Sequence, residues 1–179
     1  MADFNSKESW IRTGLDALSE EGPAGLRIDR LCGRLGVTTG SFYHHFKNIE
    51  DFKTKLLEHW EEEATNEIID QAAKHSGSDT RDQLLEIRNL TAGIPKDPEV
   101  AIRAWALRDP LARAYQERID RRRIESLEKL YSHYHPKGEA RVRARFIYCI
   151  FIGARQIIPP LKKKELDELY DTIVKGKDW

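Results

Sequence analysis

A chain of 179 residues, 40% hydrophobic and 34% charged, can build one large packed domain or a small domain joined to a medium one. Its few Gly and Pro favour amphipathic helices with solvated outer faces; no apolar run is long enough to span a membrane, and the opening MADFNSKESWIRTGL has no apolar stretch that would mark export, so a cytoplasmic protein is expected. The zero net charge excludes a wholly basic nucleic-acid coat, and any contact with phosphates must be local.

In chain order, the first helix is predicted from Ser6 to about Glu20, with Trp10, Ile11, Leu15 and Leu18 on one side. Asn5 and Glu8 resemble a capping box at its start, and Gly22-Pro23 is a stop. The second helix places Ile28, Leu31, Cys32 and Leu35 on one face and ends at Gly36. Thr38 caps a short third helix whose inward residues are Phe42 and Phe46. Asn48 and Asp51 open a long fourth helix with the stripe Phe52, Leu56, Trp60, Ala64, Ile68, Ala72, running to about His75. Ser76-Gly77-Ser78 breaks the chain, and a fifth helix covers Thr80 to about Ala92.

After a turn at Gly93 to Pro98, a sixth helix spans Glu99 to Leu107. Asp109 caps a seventh, which begins at Pro110 and runs to about Tyr134. The eighth covers Glu139 to about Ile158, and the ninth Leu161 to about Lys175. Strand signals and fixed-period repeats are absent. The fold class is therefore all-α with about nine helices: a three-helix unit over residues 1–48, then a larger bundle over 49–179. Cys32 and Cys149, far apart and each inside an apolar helical pattern, are expected to be buried reduced thiols and not a disulfide.

The segment LRIDRLCGRLGVTTGSFYHHF is a short helix, a turn around Gly36-Val37 and a second short helix, which is the helix-turn-helix arrangement over Ile28 to Phe46. Gly36 permits a left-handed end to the first helix, and Val37 faces the core. Thr38 caps the second helix, whose first residues Thr39, Gly40 and Ser41 are small enough for close approach to DNA. Phe42 and Phe46 fill the inward face, so Tyr43, His44 and His45 are surplus to the core and point elsewhere. From Arg30 to Ile49 there is no acid, while Arg30, Arg34 and Lys47 give a local charge of +3.

The run GVTTGSFYHHFKNIEDF resembles the signature of the tetracycline-repressor (TetR) family, a resemblance that extends over about residues 6 to 60. AIRAWALRDP, followed by a long Arg-rich helix, is similar to one branch of that family. The resemblance implies double-stranded operator DNA as partner, with Thr39, Ser41 and His45 at base edges or nearby phosphates and Gly40 allowing close approach. It places Tyr43 and Lys47 on phosphates, and His44 beside them. Two positions depart from the pattern. Ile49 stands where many members carry a phosphate-binding Lys, and Arg27 replaces a frequent Ser/Thr cap, which suggests a phosphate contact by its cation.

The resemblance further implies an inducer pocket in the larger bundle and a homodimer made by the last two helices. Trp60, Leu90, Trp105, Tyr115, Ile119 and Phe146 are candidate pocket residues for a small-molecule effector. The run Phe146 to Gly153 is apolar around the whole helix, so one face is expected to pack internally and the other to meet a second copy. Ile147, Ile150, Phe151, Leu166, Leu169, Tyr170 and Ile173 are the candidate interface residues. Arg121-Arg122-Arg123 reads as a solvated helix face or internal ion pairs, and no cofactor or metal pattern stands out. No nucleophile elbow, phosphate loop, His-Glu-x-x-His or Cys-x-x-Cys motif supports an enzyme. The expected function is a ligand-released repressor; a helical adaptor that binds only protein is the alternative.

Overall fold

The computed structural model describes residues 6–74, 80–92 and 98–175. Among the described residues all regular structure is helical: α1 (Lys7–Glu21), α2 (Ile28–Leu35), α3 (Thr39–His45), α4 (Ile49–Glu61), α5 (Glu67–Lys74), α6 (Thr80–Ala92), α7 (Glu99–Ala106), α8 (Pro110–Tyr131), α9 (Lys137–Gln156) and α10 (Lys163–Lys175). A π-helical turn, Glu62–Asn66, joins α4 to α5, and a 3-10 turn, Gly22–Gly25, follows α1. The expected breaks at Ser76-Gly77-Ser78 and at Gly93 to Asp97 lie outside the described residues, as does His75.

Contacts divide the chain into two compact units, Met1–Ala64 with Ile94–Arg118, and Thr65–Gly93 with Ile119–Trp179. Packing therefore does not follow the boundary drawn at residue 48: α4 and α7 belong with the N-terminal helices. The first unit is built around an aromatic core. Trp10 packs edge-on to Phe42 at 5.4 Å and Phe46 at 6.4 Å, and Phe52 meets Phe46 edge-on at 5.0 Å. All four rings are buried, with Leu18, Leu31, Leu56 and Leu57 around them. α1 touches α2, α4 and α7, and α7 also packs on the 3-10 turn.

Local chemistry sets the helix ends. Ser6 caps α1, its hydroxyl accepting from the Ser9 amide at 3.1 Å; Asn5, of the capping box expected with Glu8, lies outside the described residues. Gly36 closes α2 at φ 68°, a left-handed conformation that suits glycine, and Val37 is half-buried after it. Thr38 occupies the cap position of α3, but its side chain makes no capping hydrogen bond. Asn48 caps α4 by accepting from the Asp51 amide at 2.8 Å, while Asp51 accepts from the Lys47 amide at 3.0 Å. Asp109 accepts from the Ala112 amide at 3.0 Å at the start of α8. α8 ends at Tyr131, three residues earlier than expected, and α9 starts at Lys137 and ends at Gln156.

The π turn corrects the stripe expected along the fourth helix. Residues spaced by four advance about 40° per step on an ideal α-helix, so a stripe of six such positions winds off the inward face. At the π turn the spacing changes from four to five: after buried Trp60 the next buried residue is Thr65, with Ala64 half-buried, and Ala72 is buried two turns later.

In the second unit, α5 packs on α6, and a core of Leu84, Tyr131, Ala140, Ala144 and Ile147 is lined by Leu127 and Leu130. The fully buried alanines on α9 keep its side chains short where it meets this core. No described helix is long and apolar enough to cross a membrane.

Candidate nucleic-acid interface

The rigid side of α3 is its aromatic inner face; the other side is offered outward. Phe42 is fully buried, and Phe46, at the C-cap, is 2% exposed. Thr38, Thr39, Gly40, His44 and Lys47 are exposed, and Ser41 is half-buried. Tyr43 is 59% exposed, its ring standing perpendicular to Phe42 at 5.5 Å. A large half-apolar ring held outward by a buried one presents a hydroxyl at the surface at little entropic cost.

His45 behaves differently from its neighbours. It is half-buried, with His44 at 5.0 Å and Phe46 at 6.2 Å between ring centroids. Its Nε2 is shut from solvent with no hydrogen-bond partner among the described residues. A role at a base edge therefore needs the other ring nitrogen or a turn of the ring.

The charge on this unit is arranged otherwise than the sequence suggests. Arg30 donates to Glu21, and Arg34 donates to Glu20 at 2.9 Å and to Glu21. Two of the three cations in the acid-free stretch are thus paired with the last turn of α1, and the local +3 is largely neutralised by acids distant in sequence. Arg34, then Arg30, hold the Glu21 carboxyl below the usual glutamate range. Arg27 sits at the N-cap of α2 and makes no capping bond; its guanidinium turns to Asp29 at 3.2 Å. Desolvation pushes the Asp29 carboxyl up, but the hydrogen bond and charge of Arg27 outweigh it and the net shift is downward. Burial raises the Cys32 thiol, as expected of a core cysteine, whereas Cys149 is exposed and corrects the expectation that both are buried.

The residues expected to line a pocket are split between the units. Trp60, Trp105 and Tyr115 are buried in the first; Leu90 is half-buried, and Ile119 fully buried, in the second. Phe146 is 41% exposed and lies on the outside of α9, so it is not an interior lining residue. A surface cleft of about 550 Å³ is lined by charged residues including Glu128, Lys137 and Arg141, and one of about 210 Å³ lies beside Arg108, Arg113 and Glu117; neither includes the six candidates. In the first unit Arg118 donates to Glu61 Oε1 at 2.7 Å and also to Oε2, at the residue before the π turn.

The candidate dimer residues also separate. Ile147 is 5% exposed in its own core and is unavailable to a second copy. Ile150, Phe151 and Leu166 are half-buried and Leu169 is 41% exposed, while the side chains of Tyr170 and Ile173 lie outside the described residues. The outward face of α9 is instead Val142, Phe146, Cys149 and Gly153. Val142 and Cys149 were missed because one sits in an Arg-rich stretch and the other looks like core; the spacing 4, 3, 4 carried the signal.

The sequence profile of the TetR family of bacterial regulatory proteins matches residues 11–53, which contain the helix-turn-helix. Over those residues the chain is similar to the TetR family. The chain is 37% identical over 65 residues to the transcriptional regulator AcuR of Cereibacter sphaeroides, an alignment covering 36% of the chain and 29% of AcuR. It therefore spans less than a third of that curated relative. Likeness over the whole chain is one of fold. NemR from E. coli superposes with a TM-score of 0.76 over 93% of this chain and 94% of its own, at 19% identity. FadR from Bacillus subtilis, solved with stearoyl-CoA, does so with a TM-score of 0.63 over 95% and 96%, at 16% identity.

Proposed function

We propose that the chain is a sequence-specific DNA-binding transcriptional regulator, a repressor that leaves its operator when a small molecule binds the C-terminal bundle. The observation that carries the reading is the two-sided third helix: Phe42 and the C-cap Phe46 locked in an aromatic core, with Thr39, Gly40 and Tyr43 turned outward on α3 and Lys47 exposed just beyond its C-cap. Side chains fixed by such a base can meet DNA without first being ordered. In the proposed division of labour, residues 1–48 bind DNA and residues 49–179 bind ligand and a second copy.

Support for a ligand comes from FadR, a relative in fold that was solved with stearoyl-CoA. Support for a homodimer comes from the exposed apolar stripe Val142, Phe146 and Cys149 on α9. Gel retardation on DNA flanking the gene, over a salt series, tests the reading. Specific retardation that weakens steeply with salt supports it. Undetectable or salt-insensitive binding overturns it and favours a protein-binding adaptor.

A further inference from the structure

We propose that Lys7, the first residue of α1, grips a DNA phosphate beside α3, and that with Lys47 it forms the cationic pair next to Phe46 on which docking depends. This rests on the reading of the chain as a DNA-binding regulator, and it adds a contact residue from outside the helix-turn-helix.

Ion pairing leaves few cations on these helices to spend on phosphates. Of the eight lysines and arginines between Ser6 and Glu61, Arg12, Arg27, Arg30, Arg34, Lys53 and Lys55 each contact a carboxylate. Among the described residues no acid pairs with Lys7 or Lys47, and both side chains are exposed. The acids nearest to them in sequence are engaged elsewhere: Glu8 accepts from Arg12, Glu50 from Lys53, and Asp51 from the Lys47 amide. Ile49, half-buried, brings no charge to the start of α4.

Packing places Lys7 at the end of α3. Its Nζ lies 5.8 Å from the centroid of Phe46, the buried ring at the C-cap of α3 that immediately precedes Lys47. An ammonium at that range is attracted to the ring. Trp10, one turn further along α1, is fully buried and packs edge-on to both Phe42 and Phe46. The rings therefore fix the first turn of α1 against the inner side of α3, while Lys7 itself stays exposed. A cation in the first turn opposes the helix dipole, so the residue does not serve α1. Its ammonium, a point charge on a flexible stem, suits a phosphate oxygen and positions the protein without reading a base.

Fluorescence anisotropy of the full chain on duplex DNA flanking its gene and on a scrambled duplex, over a salt series, tests the proposal. Lys7→Gln should weaken binding to both duplexes by a similar factor, several-fold, and lower the log–log salt slope by about 1. Lys7→Arg, which keeps the charge, should keep the slope, and Lys7→Gln combined with Lys47→Gln should lower it by about 2. The slope is a readout that a merely structural role would not move. Circular dichroism shows whether each variant is folded, and Lys7→Met, which keeps the apolar stem, carries the test if Lys7→Gln is not. A folded variant without the charge that keeps the natural affinity and slope overturns the proposal, and so does a loss confined to one duplex, which would mark a base contact. The natural chain separates the two readings: if it binds neither duplex the regulator falls and the Lys7 contact with it, whereas salt-dependent binding that Lys7→Gln leaves unchanged sinks the Lys7 contact alone.

Discussion

Arg34 of α2 and Glu21 at the end of α1 form an ion pair that ties the helix-turn-helix to the helix bracing it, and Arg30 shares the same carboxylate. The pair has two consequences that can be measured apart: it spends cationic charge close to the proposed DNA face, and it makes stability depend on the Glu21 carboxylate.

Glu21→Gln should therefore strengthen binding to DNA of any sequence several-fold and steepen the salt dependence, since Arg30 and Arg34 lose a competing acid. Fluorescence anisotropy on operator and scrambled duplexes checks this. An unchanged slope means that both arginines stand out of reach of the phosphates and the pair is structural.

The same residue predicts a pH effect. Arg34 and Arg30 lower the folded-state pKa of Glu21, so its contribution to stability is complete above the ordinary glutamate range and is lost as pH falls through the lowered value. The difference in melting temperature between the natural chain and Glu21→Gln should shrink on going from neutral pH to about pH 3. A difference that stays constant with pH would contradict the assignment.

On the DNA face, Tyr43→Ala and Lys47→Ala should weaken binding evenly across sequences, with Lys47→Ala lowering the log–log salt slope by about 1. Changes at Thr39 or His45 should instead alter sequence preference, by about 1–3 kcal/mol. His45 is the sharper case, because its Nε2 is shut from solvent. Selection of bound sequences from a randomised pool separates the two patterns.

The α9 helix carries a paired prediction. Phe146→Glu, on the exposed stripe, should leave a folded chain that sediments as a monomer. Ile147→Asp, one residue on but inside the core, should cost about 3 kcal/mol or more of folding stability whatever the oligomeric state. A folded, dimeric Phe146→Glu protein places the interface elsewhere.

Packing between α1 and α4 gives a further test. A Cβ at Gly14 would lie 2.6 Å from both Phe52 Cζ and Leu56 Cδ1, and both neighbours are fully buried. Gly14→Ala should destabilise the chain by about 1–3 kcal/mol, as overpacked cores do, although alanine is the better helix former. Denaturant melting measures it; a stabilised variant would show that the two side chains can yield.

Whatever depends on near neighbours in the chain was written in the sequence. The helices, the left-handed Gly36, the Asn48 and Asp109 caps and the inward Phe42 and Phe46 follow from periodicity and local hydrogen bonding, which act over a few residues. Tertiary structure decided what depends on which segments meet. Glu20 and Glu21 neutralise Arg30 and Arg34 from another helix, and the π turn brings Thr65 inward in place of Ala64. Ile147 is committed to its own core while Phe146 and Cys149 are left outside, a choice that an all-round apolar run does not disclose. The physical reason is common to all of these. Periodicity shows that a face must be covered and charge shows that it needs a partner, but only folding decides what covers the one and what pairs with the other.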